Sequence, residues 1–164
     1  MQAAIRQTCS SCGVCSQYLS EWPQEPMQSH TIPPRPWERV SADLFQLDGS
    51  NYQVLVDHYS DYIELEPPRN TSAAAVIPAM KRNFVCHCIP DECMTDNGPQ
   101  FVSHAYARFA HEYGFTSIKS PPYHSRGNGK AESAVKIAKN ILKSRFEDPY
   151  LALLAHRNTP QQGY

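Results

Sequence analysis

Apolar residues interspersed with polar ones mark three short segments in the first part of the globular sequence. The segments cover residues 38–47, 52–58 and 61–66. Short runs rich in β-branched, aromatic and other apolar residues between turn signals are typical of strands. A turn signal at 48–51 (DGSN) separates the first two segments, and Pro67-Pro68 follows the third. We therefore predict an antiparallel meander of three strands that ends before the two prolines.

Helical spacing of apolar residues alternates with short strand-like runs in the rest of the chain. Pro78 lies inside the first predicted helix, so we expect a kink or a late start there, with Ala75, Ile77, Met80 and Phe84 on the inner side. Gly114 is a suitable C-terminal stop. The predicted elements are a helix over 72–86, a strand over 91–95, a helix over 102–113, a strand over 116–119, a helix over 128–145 and a helix after Asp148-Pro149.

This order of elements predicts an α/β fold. Three antiparallel strands come first and two parallel strands follow, so the sheet is mixed and has five strands flanked by helices. The long helix over 128–145 has six apolar residues available for an inward face: Ala131, Ala134, Val135, Ala138, Ile141 and Leu142. The last helix offers Leu151, Leu153 and Leu154.

Proline and cysteine divide the chain into three parts. Residues 1–20 carry Cys9, Cys12 and Cys15, and residues 21–36 form a proline-rich linker, because proline fixes φ and disfavours helix in the residue before it. Residues 37–164 form the globular domain. No apolar run approaches the length of a membrane span, and no secretory signal is present. A reducing compartment is therefore expected, and Cys86, Cys88 and Cys93 are interpreted as core or loop thiols.

Charge is uneven along the chain, although the net charge is only −1. Between residues 115 and 146 there are seven basic residues and one acid, Glu132. One interpretation is a solvated basic face. A single acid in a basic field fits better with a metal site that faces a phosphate backbone.

Three acids are candidates for that metal site. Asp43 lies in an apolar segment near a predicted strand end, Asp96 opens Asp96-Asn97-Gly98, and Glu132 follows Asp96 after 35 intervening residues. Taken singly, each has an ordinary interpretation: a capping or turn aspartate, a turn signal, and a helix residue. Taken together, three carboxylates can hold two divalent metals, which clamp the attacking and leaving oxygens of a phosphodiester exchange.

Helix spacing places further polar residues beside Glu132. Asn128 precedes it by four positions, and Lys136 and Lys139 follow it by four and seven, so all share one face. That face can present a metal ligand, an amide and two ammonium groups to one phosphate backbone. The alternative is an ordinary surface ion pair between Glu132 and Lys136.

Five separate motifs resemble the integrases of retroviruses and gypsy-type LTR retrotransposons. They occur in the family's order and span about residues 37–160, most of the chain. The motifs are residues 37–43 (WERVSAD), 56–60 (VDHYS), 89–101 (IPDECMTDNGPQF), 120–139 (SPPYHSRGNGKAESAVKIAK) and 156–160 (HRNTP).

The resemblance implies an RNase H-like fold and a polynucleotidyl transferase. The family's catalytic and metal-binding acids fall on Asp43, Asp96 and Glu132, with two Mg²⁺ or Mn²⁺ ions as cofactors. Its implied activity removes a dinucleotide from each element DNA end and joins the 3′ hydroxyls to target DNA. The implied partners are double-stranded DNA and further copies of the chain, with no membrane, in the nucleus after a cytoplasmic particle stage. The family's DNA-end contacts fall on Tyr123, Asn128, Lys136 and Lys139.

Some family features are missing from this sequence. Cys12 and Cys15 resemble half of the N-terminal His-His-Cys-Cys zinc module, but no histidine precedes them, so a zinc site needs His30 or Cys9 as a substitute. We expect a vestigial module without zinc. The family's C-terminal DNA-binding domain is expected to be absent. A non-catalytic, domesticated or decaying fragment is therefore one alternative function, and a ribonuclease or another transposase of the same fold is a second.

Overall fold

A computed structural model describes residues 32–120, 129–143 and 149–159. The chain divides into two compact units, Met1–Thr31 and Ile32–Tyr164, and the first unit lies outside the described residues. The predicted division at residues 20 and 36 therefore stays a prediction. Within the described ranges, no helix is long and apolar enough to cross a membrane.

The second unit is built on a mixed sheet. Five strands in its described part follow the spatial order β3-β2-β1-β4-β5. β2 pairs antiparallel with both β1 and β3, whereas β4 pairs parallel with β1 and β5. The predicted arrangement of three antiparallel strands followed by two parallel ones is confirmed. The strand bounds are β1 Arg39–Leu47, β2 Ser50–Asp57, β3 Ile63–Glu66, β4 Glu92–Thr95 and β5 Thr116–Lys119.

Helices pack on both faces of the sheet. One face carries a core that includes Val40 and Leu55 with Met80 and Phe109, and the other carries Val54 and Val56 with residues of the long helix. The helix bounds are α1 Ala73–His87, α2 Pro99–Val102, α3 His104–Tyr113, α4 Gly129–Lys143 and α5 Pro149–Asn158.

The prediction for α1 needs two corrections. The helix begins at Ala73 and continues through Pro78 to His87, so there is no late start. Its inner side includes Met80 and Phe84 as predicted, and Ile77 packs against the same core while partly buried, but Val76 and Ala79 are also buried and Ala75 is only partly buried. The reason is geometric, because Val76 precedes Ala79 by three positions and Met80 by four, and such spacings lie on one side of a helix at 3.6 residues per turn.

The helix predicted over 102–113 is present but begins at His104, and a separate short helix that was not predicted precedes it. A four-residue helix, α2, ends at Val102, and Ser103 has an extended backbone. The Ser103 hydroxyl accepts a hydrogen bond from the backbone N–H of Tyr106 and caps α3. Serine is a favoured N-cap residue, because its hydroxyl can accept a hydrogen bond from a backbone N–H of the first turn, so a new helix begins here. The predicted stop is confirmed, since Gly114 caps α3 in the left-handed conformation.

The long helix α4 lies across β1 and β2. Ala131, Ala134, Ala138 and Ile141 are buried as predicted, while Val135 and Leu142 are partly buried. Small alanine side chains let the helix approach the sheet closely. In α5, Leu153 is buried with Ala152, whereas Leu151 and Leu154 are exposed.

Candidate metal and DNA site

The parallel ladder between β1 and β4 brings two of the three acids together. Its last pair is Ala42 with Thr95, and the next residues are Asp43 and Asp96. Asp43 is not at a strand end, as the sequence suggested, because β1 continues to Leu47 through its pairing with β2. It lies instead one residue beyond the parallel ladder. The two carboxylates therefore leave neighbouring strands at the same level of the sheet.

Glu132, the third acid, interacts electrostatically with Asp43. The pKa of Asp43 is raised to about 6, mainly by burial and to a smaller extent by the charges of Asp96 and Glu132, against opposing contributions from the Leu44 N–H and Lys139. The Leu44 N–H donates to Asp43 Oδ1 at 2.7 Å. Glu132 lies in the first turn of α4, which packs over β1. The charges of Asp96 and Glu132 thus both act on Asp43.

The carboxylates are neighbours without forming a closed ligand shell. Within residues 32–120, 129–143 and 149–159, no group of three or more histidine, cysteine or acidic side chains is arranged to hold a metal ion. The donor chemistry nevertheless fits a hard divalent cation, because every candidate ligand is a carboxylate oxygen. Burial is the main cause of the raised pKa of Asp43, and the charges of Asp96 and Glu132 add to it, so a bound divalent cation would offset the cost of ionising this carboxyl.

The turn after β4 fixes the carboxylate of Asp96. The Gly98 N–H donates to Asp96 Oδ1 at 3.0 Å. A Cβ at Gly98 would lie 2.3 Å from Gln100 Nε2 and 2.9 Å from Asp96 Oδ1. Gln100 is buried, so it has little room to retreat. The glycine is required here for close approach, not for its backbone angles.

Two polar residues beside the acids were not singled out by their sequence pattern. Asn97 Nδ2 donates to the carbonyl of Ser120 at 2.8 Å, so the turn after β4 is tied to the chain leaving β5. Lys119 Nζ donates to Thr95 Oγ1 at 2.9 Å. Asn97 resembled a turn residue, and Lys119 was one member of a basic run. Asn97 follows Asp96 in the sequence, whereas only the strand register brings Lys119 close to it.

The predicted DNA-binding residues are partly within the described structure. Lys136 is exposed on α4, and Lys139 is half-buried with its ammonium 5.6 Å from the centre of the Phe45 ring. No salt bridge joins Glu132 to Lys136 in the described part of the chain, so the alternative of an ordinary ion pair is not supported. Tyr123 and Asn128 lie outside the described residues, as do Cys12, Cys15, Cys9 and His30.

Sequence comparison identifies the family. The family model described as "Integrase core domain" matches residues 33–125. An uncharacterised protein of Caenorhabditis elegans, K02A2.6, is 31% identical over 93% of this chain and 12% of its own length. The Pol polyprotein of a feline endogenous virus is 28% identical over 96% of this chain and 16% of its own length. The Pol polyprotein of the Drosophila melanogaster transposon gypsy is 23% identical over 80% of this chain. The chain spans less than a fifth of the first two relatives.

Solved structures show the same fold. The catalytic core of BIV integrase superposes with a TM-score of 0.64 at 21% identity, over 78% of this chain and 88% of that one. A chain of the simian T-cell lymphotropic virus intasome, solved with a PP2A regulatory subunit, gives a TM-score of 0.71 at 18% identity, over 98% and 56%. The five-stranded mixed sheet and its helices therefore form an RNase H-like fold. The chain belongs to the integrase core domain family of retroviruses and LTR retrotransposons.

Proposed function

We propose that this chain is an integrase catalytic core that processes the 3′ ends of element DNA and joins them to target DNA. The reaction is a phosphodiester transesterification, and Asp43, Asp96 and Glu132 are its catalytic acids. The observation that carries the proposal is the placement of Asp43 and Asp96 directly after the last pair of the parallel ladder, with Glu132 within electrostatic reach. The family's polynucleotidyl transfer chemistry requires such a cluster of acids.

The three acids would hold two divalent cations, Mg²⁺ or Mn²⁺. When bound, such ions supply activation of the oxygen nucleophile and stabilisation of the departing oxygen. The protein's own contribution is to hold the ligands on rigid elements. Asp43 is fixed by the Leu44 N–H, and Asp96 is fixed by the Gly98 N–H, so two of the ligands are oriented before any cation binds.

The DNA partner is expected on the α4 side of the acids. Lys136 is exposed and Lys139 is charge-coupled to Asp43, so both can approach a phosphate next to the reacting centre. Tyr123 and Asn128 complete the proposed set of DNA contacts. We place the activity on element and target DNA in the nucleus, in a multimer of the chain. One similar structure is described as an intasome, which agrees with this proposal.

A branched strand-transfer product tests this function in a single step. The purified chain would be mixed with the branched DNA and Mn²⁺, and the release of the resolved strand measured. Wild type should resolve the branch at least about a hundredfold faster than Glu132→Gln, since one essential ligand is lost. Glu112→Gln, an exposed acid on α3, should match wild type. Equal rates for wild type and Glu132→Gln would support a non-catalytic fragment instead.

A further inference from the structure

Lys119 is held beneath the end of the strand that carries Asp96. It is the last residue of β5 and pairs with Thr95 in the parallel ladder. Its ammonium donates to Thr95 Oγ1 at 2.9 Å and lies 4.6 Å from the centre of the Tyr106 ring and 5.7 Å from that of Phe101. A hydrogen bond and two aromatic faces together fix the position of a side chain that usually extends into water.

This position has an energetic cost. Burial lowers the pKa of Lys119, while the charges of Cys93 and Asp96 raise it and so favour the ammonium. Thr95 is fully buried and is bonded directly to Asp96 in the chain. The ammonium therefore lies within electrostatic reach of one candidate metal ligand, on the side of the sheet opposite α4.

We propose that Lys119 tunes the affinity of the metal site for cations through its ammonium, which Thr95, Tyr106 and Phe101 hold behind Asp96. The inference rests on the proposed function. Like charges repel, so this ammonium weakens the hold of the site on a divalent cation. Binding of the divalent cation therefore depends more strongly on the negative charge of a DNA phosphate at the site.

The direction in which metal affinity changes distinguishes an effect of the Lys119 charge from a purely structural role of the side chain. Loss of support for β4 would misplace Asp96 and weaken metal binding. Loss of the positive charge alone would strengthen metal binding. Lys119→Met removes the charge but keeps a long apolar side chain against Tyr106 and Phe101, and Lys119→Arg keeps the charge.

The experiment measures Mn²⁺ affinity of the full chain without DNA, by calorimetric titration and by the metal-induced rise in unfolding midpoint. Lys119→Met should bind Mn²⁺ about fivefold more tightly than wild type, the order expected for one unit charge facing a divalent ion across a partly solvated site. Lys119→Arg should match wild type. Lys81→Met is the matched control, because the Lys81 ammonium also lies over two rings, Phe109 and Tyr113, but has no candidate metal ligand beside it. It should leave Mn²⁺ affinity unchanged.

Unchanged or weaker Mn²⁺ binding by Lys119→Met would overturn the proposal, provided that wild type binds the ion and Glu132→Gln does not. If wild type itself shows no saturable Mn²⁺ binding that depends on Glu132, the proposed metal site fails, and this inference fails with it. The titrations of wild type and Glu132→Gln therefore distinguish failure of the proposed metal site from failure of this inference alone.

Discussion

Ala42 of β1 and Thr95 of β4 form the last pair of a parallel ladder, and an aspartate follows each of them. Both paired residues are fully buried, so the backbone from which the two acids project is rigid. A metal pair needs ligands held within a fraction of an ångström. The strand register holds Ala42 and Thr95, the residues before the two acids, and the Gly98 N–H then fixes the Asp96 carboxylate in the turn.

The carboxylate of Asp43, which is largely buried and close to two other acids, should destabilise the protein when no metal is bound. Its folded-state pKa of about 6 lies above the ordinary value of 3.8, so the native state holds the proton more tightly. Asp43 therefore favours folding below about pH 4, and this contribution is lost as pH rises towards 6. Asp43→Asn should have the higher free energy of unfolding above pH 6, by about 1 kcal/mol after allowance for partial exposure.

Chemical unfolding of both proteins between pH 4 and 8, without divalent ions, would measure this difference. Asp48→Asn is the control, because Asp48 is an exposed turn residue whose left-handed backbone asparagine also tolerates. Addition of Mg²⁺ at pH 7.5 should stabilise wild type but not Asp43→Asn. A constant difference across the pH range would show that Asp43 is not strained by burial and repulsion.

Gly98→Ala should impair metal binding more than folding. The Gly98 backbone lies at φ −58° and ψ 146°, which alanine adopts readily, so the damage comes from contacts with Asp96 Oδ1 and Gln100. We expect Mn²⁺ affinity to fall about tenfold, since a ligand oxygen is displaced. Gly114→Ala is the opposite case, because its φ of +74° strains alanine while no atom lies near the new Cβ. It should lose about 1 kcal/mol of stability with unchanged Mn²⁺ affinity.

Asn97→Ala should separate metal binding from DNA processing. The mutation removes the hydrogen bond to the Ser120 carbonyl but leaves Asp96 and its bond from Gly98 in place. We expect the Mn²⁺-induced rise in unfolding midpoint to be kept, while resolution of branched DNA slows about tenfold because the exit of the chain from β5 is no longer fixed. Asn70→Ala, which also loses a side-chain bond to backbone, should leave the rate unchanged. Equal rates for Asn97→Ala and wild type would contradict this positioning role.

Periodicity predicted most of the fold because its main elements are strongly patterned. The three-strand meander and the alanine face of α4 follow directly from short apolar runs between turn signals and from 3.6-residue spacing. The break at Ser103 was missed because Phe101, Tyr106 and Phe109 continue an apparent helical pattern across it. A serine cap and an apolar pattern compete there, and the cap decides the local structure.

The acid cluster was predicted from the resemblance to integrases more than from the hydrophobic pattern of the sequence. Asp43 and Asp96 are far apart in sequence, and only the pairing of Ala42 with Thr95 makes them neighbours. The pairing of Thr95 with Lys119 in the next ladder brings Lys119 close to Asp96 in the same way. No spacing rule along one strand predicts a contact that is set by the relative shift of two strands.

Arg157 should contribute more to stability than its position in the last helix suggests. Its Nη2 donates to the Ile63 carbonyl at 2.7 Å and to Glu64 Oε2 at 2.8 Å, and its guanidinium lies 4.3 Å from the centre of the Tyr62 ring. β3 is an edge strand, so this fork satisfies an otherwise unpaired carbonyl and ties α5 to the sheet. Arg157 of the closing motif thus has a structural role.

Lysine cannot reproduce this fork, so Arg157→Lys should lower the free energy of unfolding by about 1–2 kcal/mol. Arg82→Lys is the matched control, because Arg82 also forms a fork, to Glu66, but its side chain is 57% exposed. Its loss should stay within about 0.5 kcal/mol. Denaturant unfolding of the three proteins would decide the matter, and equal losses for the two arginines would show that the edge-strand contact adds nothing. Amide exchange in β3 should also rise in Arg157→Lys alone, because only that variant releases α5 from the sheet edge.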